Sequence, residues 1–164
     1  MSLQIATMKT PIGALHTIAD GVTLLGLTFT SADYLIDLID ERYIGAQVRT
    51  VKSIAGITPL LEDYFDGEVD ALRSIKTMQP GGDFSQRAWK AMRGVRAGRT
   101  ISYSELAQKA GSPRAVRAAG SACAKNAIAL VVPCHRILAS DGGLGGYAYG
   151  VKSKEWLLRH EGAL

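Results

Sequence analysis

The sequence predicts an α+β protein in which a small N-terminal α/β unit precedes a mainly helical unit carrying a helix-turn-helix. Three observations predict it. Short β-branched and apolar runs, broken by turn residues, fill positions 3–29. Helix-capping patterns recur through the second half. Between them, Gln79-Pro80-Gly81-Gly82 reads as a linker. The expected division is 1–78 for the first domain, 79–83 for the linker and 84–164 for the second domain.

Segments 3–8, 13–19 and 22–29 read as strands. Pro11-Ile12-Gly13 and Asp20-Gly21 break them, and Asp-Gly is a hairpin signal. Residues 32–44 show helical spacing at Leu35, Leu38 and Ile39. A short helix is expected over 59–66, where Leu60, Leu61, Tyr64 and Phe65 are apolar. Pro59 suits its first position and Gly67 its stop.

In the second half, Asp83 can cap a helix that begins at Phe84. Phe84, Ala88, Met92 and Val95 then share a face, and Gly98 follows the end. Ser102 and Glu105 have capping-box spacing, with Ile101 and Leu106 at the hydrophobic-staple positions. That helix stops at Gly111. Ser112-Pro113 restarts at once, with Ser as cap and Pro at the first helical position. Helices over 103–110 and 113–124 therefore form a helix-turn-helix. Nearly every residue of the second helix is small, which fits either tight helix packing or close approach to a DNA groove. Arg114 and Arg117 lie near its N-terminus, where phosphate is favoured.

Bulk properties narrow the class. A chain of 164 residues, 47% hydrophobic, can bury one or two small cores. No apolar run reaches membrane-spanning length, and no secretory leader is visible in 1–20, so a cytoplasmic protein with no membrane association is expected. Cys123 and Cys134 are too few for a disulfide framework. His16, His135 and His160 lack metal-ligand spacing, so neither metal nor cofactor is expected. Charge is uneven: residues 1–83 carry a net −5 and residues 84–164 a net +9. The basic half fits a polyanion partner or ordinary solvated side chains.

Residues 130–138 hold the reactive candidates. Val131 and Val132 look buried, Pro133 bends the chain, and a thiol, an imidazole and a guanidinium follow as Cys134, His135 and Arg136. A free thiol titrates near 8.5, so a nucleophilic Cys134 needs a base or cation nearby. An inert core cysteine is the other reading of the same residues.

Pro133-Cys134-His135-Arg136 resembles the signature of the O6-alkylguanine-DNA alkyltransferase family. Phe84-Gln86-Ala88-Trp89, Ile101 through Tyr103, Leu106-Ala107, Pro113 through Ala119, Asn126, Gly145 through Tyr147 and Lys154 through Leu158 resemble it too, in order. The N-terminal half is similar mainly at Thr10 through Gly13 and Tyr64 through Gly67. The resemblance implies a ribonuclease-H-like first domain and a winged-helix-like second domain. It implies direct-reversal DNA repair, in which an alkyl group passes once and irreversibly from O6 of guanine to Cys134. O4-alkylthymine is a second candidate substrate.

By the same resemblance the damaged base flips out of double-stranded DNA, approached from the minor groove with little sequence preference. Arg117 takes the base's place, Tyr103 presses on the 3′ phosphate, and Ser102, Arg114 and Ala118 join them in contacting DNA. His135 draws the thiol proton through a water, with Glu161 behind it. Asn126 braces the turn, and Tyr147, Ala148 and Pro133 line the pocket. A monomer in solution is expected, with self-association on DNA an open alternative. The chain departs from the family pattern at Ala127, at Ala97 through Thr100 and at Ala148, and its N-terminal half has no cysteine to bind zinc. Cys123 reads as a small apolar side chain. The competing readings are a lesion sensor without chemistry, a helix-turn-helix regulator and a Cys-His hydrolase.

Overall fold

The computed structural model describes residues 2–164. The chain divides into two compact units. One runs to Pro80 and also takes in Ala127–Val131; the other comprises Gly81–Asn126 and Val132–Leu164.

The first unit is built on a five-stranded sheet of order β4-β1-β2-β3-β5. Strands β1 (Ser2–Thr10), β2 (Gly13–Asp20) and β3 (Thr23–Thr28) form an antiparallel meander through the two turns that the sequence marks. Strands β4 (Gln47–Thr50) and β5 (Lys76–Thr77) add in parallel at the two edges. All of β4 is exposed, so no burial pattern betrays it in the sequence. Leu3, Ile5, Ile18, Leu25, Leu35 and Tyr43 form one buried cluster. Each such aliphatic side chain contributes about 1.5–3 kcal/mol by leaving water. Gly26 sits in tight packing here, since a Cβ would lie 3.1 Å from the Ile18 side chain, which would have to shift by a few tenths of an ångström.

The helix expected over 32–44 shrinks to α1 (Leu35–Leu38) and a 3-10 turn at Glu41–Tyr43. Asp40 explains the break: its backbone is extended and its side chain accepts the Arg42 N–H. A short acid that bonds local backbone competes with helix. The second helix, α2 (Thr58–Phe65), forms with Pro59 in its first turn.

Residues 127–131 fall within the range expected for the second domain, yet they pack with the first. The Leu27 N–H donates to the Ala127 carbonyl at 2.9 Å, and Leu27 bridges to Ile128. The Gln79 side chain accepts the Ala127 N–H at 2.8 Å. Ile128 and Leu130 are fully buried. A strand edge needing partners and two apolar side chains outweigh chain continuity.

The second unit holds α3 (Asp83–Arg93), α4 (Tyr103–Lys109), α5 (Val116–Ala124) and α6 (Val151–His160). The capping box at Ser102 forms as the spacing predicts, both bonds being 3.1 Å long. The second helix of the helix-turn-helix starts later than expected. Residues 112–115 make a turn, closed by the Ala115 N–H on the Ser112 carbonyl at 2.8 Å, and Ala115 precedes the first helical residue. Pro113 thus ends up in the turn, and Arg117 rather than Arg114 lies in the first helical turn. The Trp89 indole of α3 donates to the Ala122 carbonyl at 2.9 Å and anchors α5 through its buried Ala119 and Ala122 face. The α+β architecture with its helix-turn-helix is as the sequence predicts. Among the described residues no helix is long and apolar enough to cross a membrane.

Candidate functional site

A two-residue parallel ladder positions the reactive segment. β6 (Ile101–Ser102) pairs with β7 (Ile137–Leu138). β6 runs directly into α4 and Tyr103, while β7 directly follows the 3-10 turn Cys134–Arg136. Pro133 sits at φ −83 and ψ 68, and the Cys134 N–H closes on the Val132 carbonyl at 2.8 Å. This is an inverse γ-turn, for which a fixed proline φ is well suited. The Asn126 amide donates to the same Val132 carbonyl at 2.7 Å.

Behind the thiol lies a buried charge cluster. Glu161 sits at the C-cap of α6, where the helix dipole disfavours an acid. Arg136 compensates. Its Nε and a terminal nitrogen donate to the two Glu161 oxygens, each at 2.9 Å, and its other terminal nitrogen donates to the Val95 carbonyl at 2.7 Å. His135 Nε2 lies 2.8 Å from Glu161 Oε2. Burial alone would raise the Glu161 carboxyl, but the bonds and charges of His135 and Arg136 prevail and hold it far below the usual carboxylate range.

An ionised carboxylate only accepts, so Nε2 carries the proton that bonds to it. Burial lowers the His135 pKa, opposed in part by Glu161, and the ring is neutral at pH 7. Nδ1 therefore holds a lone pair. It is buried and has no hydrogen-bond partner among the described residues. This is a base whose tautomer is fixed by its neighbour.

Cys134 opens on a cavity of about 280 Å³, lined also by Tyr103, Cys123, Gly146, Tyr147 and Ala148. Burial pushes the Cys134 thiol up, while the Asn126 hydrogen bond and the Lys154 charge pull it part of the way back. Cys123 is pushed up to about 12 by burial and by the neighbouring Cys134. The Tyr147 ring lies edge-on to His135 at 6.5 Å. Gly145 has φ +72, and a Cβ there would come within 3.3 Å of the Tyr103 hydroxyl, so the loop closes on Tyr103 only as glycine.

Two residues of this arrangement are named in the sequence analysis but given no role there. Arg136 is one; its role appears only when Glu161 is brought to it. Lys154 is the other. It is fully buried, and its ammonium donates to the carbonyls of Ile137 at 2.7 Å and Gly146 at 3.2 Å. It ties the strand after the reactive turn to the cavity wall. A signal existed: Lys154, Leu157, Leu158 and Glu161 share the inner stripe of α6, and a charge on such a stripe needs partners.

Of the residues expected to contact DNA, Tyr103 lines the cavity, and the others do not. Arg114 and Arg117 are exposed, while Ala118 and Ser102 are half-buried. The Ser102 hydroxyl accepts in the capping box and keeps its proton for donation. Pro133 is buried in the turn, and Ala148 is exposed at the cavity mouth. Among the described residues no cluster of three or more metal-ligating side chains occurs.

Residues 83–163 match the model of the 6-O-methylguanine DNA methyltransferase DNA-binding domain. A methylated-DNA–protein-cysteine methyltransferase of Shigella flexneri is 36% identical over 161 residues, covering 96% of this chain and 94% of that protein. Its counterpart in Salmonella typhimurium is 40% identical over 126 residues, covering 77% and 74%. Mycobacterium tuberculosis OGT in complex with DNA superimposes with a TM-score of 0.80 at 32% identity, covering 98% and 93%.

Proposed function

The chain belongs to the methylated-DNA–protein-cysteine methyltransferases, DNA-binding proteins of direct-reversal repair, and on that premise we propose that Cys134 is its alkyl acceptor. One observation carries the assignment: the Cys134 thiol lines a cavity beside a neutral imidazole whose tautomer is set by an ionised carboxylate.

The reaction follows from that geometry. His135, oriented by Glu161, takes the thiol proton through a water. The Cys134 sulfur attacks the alkyl carbon, the S–C bond forms and the C–O6 bond breaks. Tyr147 donates to the departing O6, and guanine leaves as the neutral base by taking up one proton, the equivalent of the one His135 drew from the thiol. The thioether does not revert by any simple step, so each chain acts once. Asn126 holds the turn through Val132 and favours the thiolate through its bond to sulfur. Pro133 sets the turn, and Ala148 forms the cavity mouth.

Access to a base within a duplex requires flipping, which costs a few kcal/mol. Arg117 fills the vacated stack, and Tyr103, beside the cavity, turns the 3′ phosphate. Ser102 and Arg114 bind phosphate. Ala118 keeps α5 slim, which suits a minor groove only about 6 Å wide. Contacts of this kind read shape rather than sequence. One chain supplies every group named, which supports action as a monomer.

Intact and peptide mass spectrometry after mixing with excess O6-methylguanine duplex tests the assignment. One methyl on the Cys134 peptide, absent from Cys134→Ser, is expected. Binding without added mass would make the chain a lesion sensor instead, and methyl found on Cys123 would move the acceptor.

A further inference from the structure

The helical unit carries a second concave surface that the chemistry at Cys134 does not use. It is formed by α3, the turn at 94–101 and the C-terminal end of α4, and encloses about 660 Å³. Arg87, Lys90, Arg96, Arg99 and Lys109 line it, and no carboxylate does. All five cations are exposed. It shares no lining residue with the Cys134 cavity and none with α5.

The local structure gathers these charges. Arg87 and Lys90 are three apart on α3 and so share a face. The Arg99 N–H closes on the Arg96 carbonyl at 3.0 Å with Gly98 at φ +87, a tight turn that brings the two arginines to within about 7 Å at Cα. Arg87 is fixed in place: its Nε donates to the Ala110 carbonyl at 2.8 Å, and its guanidinium lies over the Phe84 ring. Its terminal amino groups remain for an anion.

Two acids of the unit are engaged elsewhere. Glu105, four residues from Lys109 on α4, is committed to the capping box, and Glu161 to His135 and Arg136. Arg87, Lys90, Arg99 and Lys109 bring like charges around one hollow, and a polyanion relieves their repulsion. Ala91 and Gly94, also in the lining, add little side-chain bulk.

We propose that this groove holds the phosphate backbone of a second DNA segment while α5 engages the first. The occupant is DNA because the chain already works on DNA, whose backbone presents charge continuously enough to meet cations from three elements. The proposal rests on the DNA-binding reading but not on the identity of the acceptor. A chain with two such surfaces can bridge neighbouring duplexes, keeping hold of one while it inspects another.

The test is stoichiometry by sedimentation, with excess duplex of about one helical turn. The wild type should bind two duplexes per chain at about 50 mM salt and one at about 200 mM. Three to five phosphate contacts predict a loss of roughly 40- to 500-fold in groove affinity over that range. The variant K90E/R99E/K109E should bind one duplex at both salts, with transfer from damaged duplex to Cys134 unchanged; K90Q/R99Q/K109Q provides the same test without charge reversal.

One duplex per chain for the wild type, or two for both variants, would overturn the proposal. So would displacement of the second duplex by polyglutamate but not by unlabelled duplex, which would assign the groove to an acidic polypeptide. Two duplexes bound without methyl on Cys134 would instead overturn the acceptor assignment.

Discussion

Glu161→Gln removes one charge from the centre of the helical unit and almost no volume. Arg136 then keeps its bond to Val95 but loses the anion that its Nε and a terminal nitrogen address. A buried charge deprived of its partner costs about 3–5 kcal/mol. At about 2–4 °C per kcal/mol, the melting temperature should fall by roughly 6–20 °C. The assay is urea unfolding followed by tryptophan fluorescence, since Trp89 and Trp156 both lie in the unit that holds Glu161.

Arg136→Met alone should cost a similar amount. The double variant should lose less than the two single losses combined, because with both charges gone neither is left buried without its partner. Transfer separates the two partners. E161Q should slow it by about 10²–10⁴-fold through loss of an oriented base, whereas R136M keeps the carboxylate behind His135 and should slow it far less. A destabilisation by E161Q below about 1 kcal/mol, strict additivity in the double variant, or equal rate losses would refute the reasoning.

Three further outcomes are expected. Arg117→Ala should weaken repair of duplex far more than reaction with free O6-alkylguanine base; equal losses would remove its role in the stack. Ser102→Ala should cost about 1 kcal/mol in unfolding free energy through loss of the cap, and an unchanged midpoint would contradict the capping box. Stability of the helical unit should fall with pH in two stages. His135, its pKa lowered by burial, contributes fully above its unfolded value of about 6.5 and loses that contribution as pH drops towards its folded value. Glu161, its pKa depressed by its partners, contributes fully above about 4.3 and loses that contribution below it. Urea midpoints that stay flat from pH 7 to pH 4 in the wild type, or that keep the first stage in His135→Asn, would count against this.

The legible parts of this protein are those in which local chemistry decides. The Asp20-Gly21 turn, the Ser102–Glu105 box and the reactive tetrapeptide depend on neighbours in sequence, and each forms as read. What escaped depends on partners far along the chain. β4 shows no alternation because it is exposed, and 127–131 joins the first unit through bonds to Leu27 and Gln79. The helix expected over 32–44 is the exception, broken locally where the Asp40 side chain accepts the Arg42 N–H. Lys154 escaped because a lysine reads as solvated until its two carbonyl partners are in place.

The two cysteines differ in how the fold treats their charged forms, and that difference bears on the proposed acceptor. Both line one cavity and both are raised by burial. A buried thiol is inert, and that inertness protects a residue that can be used only once. Cys134 differs in having partners for its charged form: the Asn126 hydrogen bond favours the thiolate, Lys154 adds charge, and its own backbone N–H contributes. Cys123 has the Lys154 charge and no such hydrogen bonds. At rest both stay protonated. When a base fills the cavity and displaces the proton from Cys134 towards His135, the resulting charge meets donors already in place, whereas at Cys123 it would meet none. This difference supports Cys134 over Cys123 as the proposed acceptor, although the neutral forms of the two are alike.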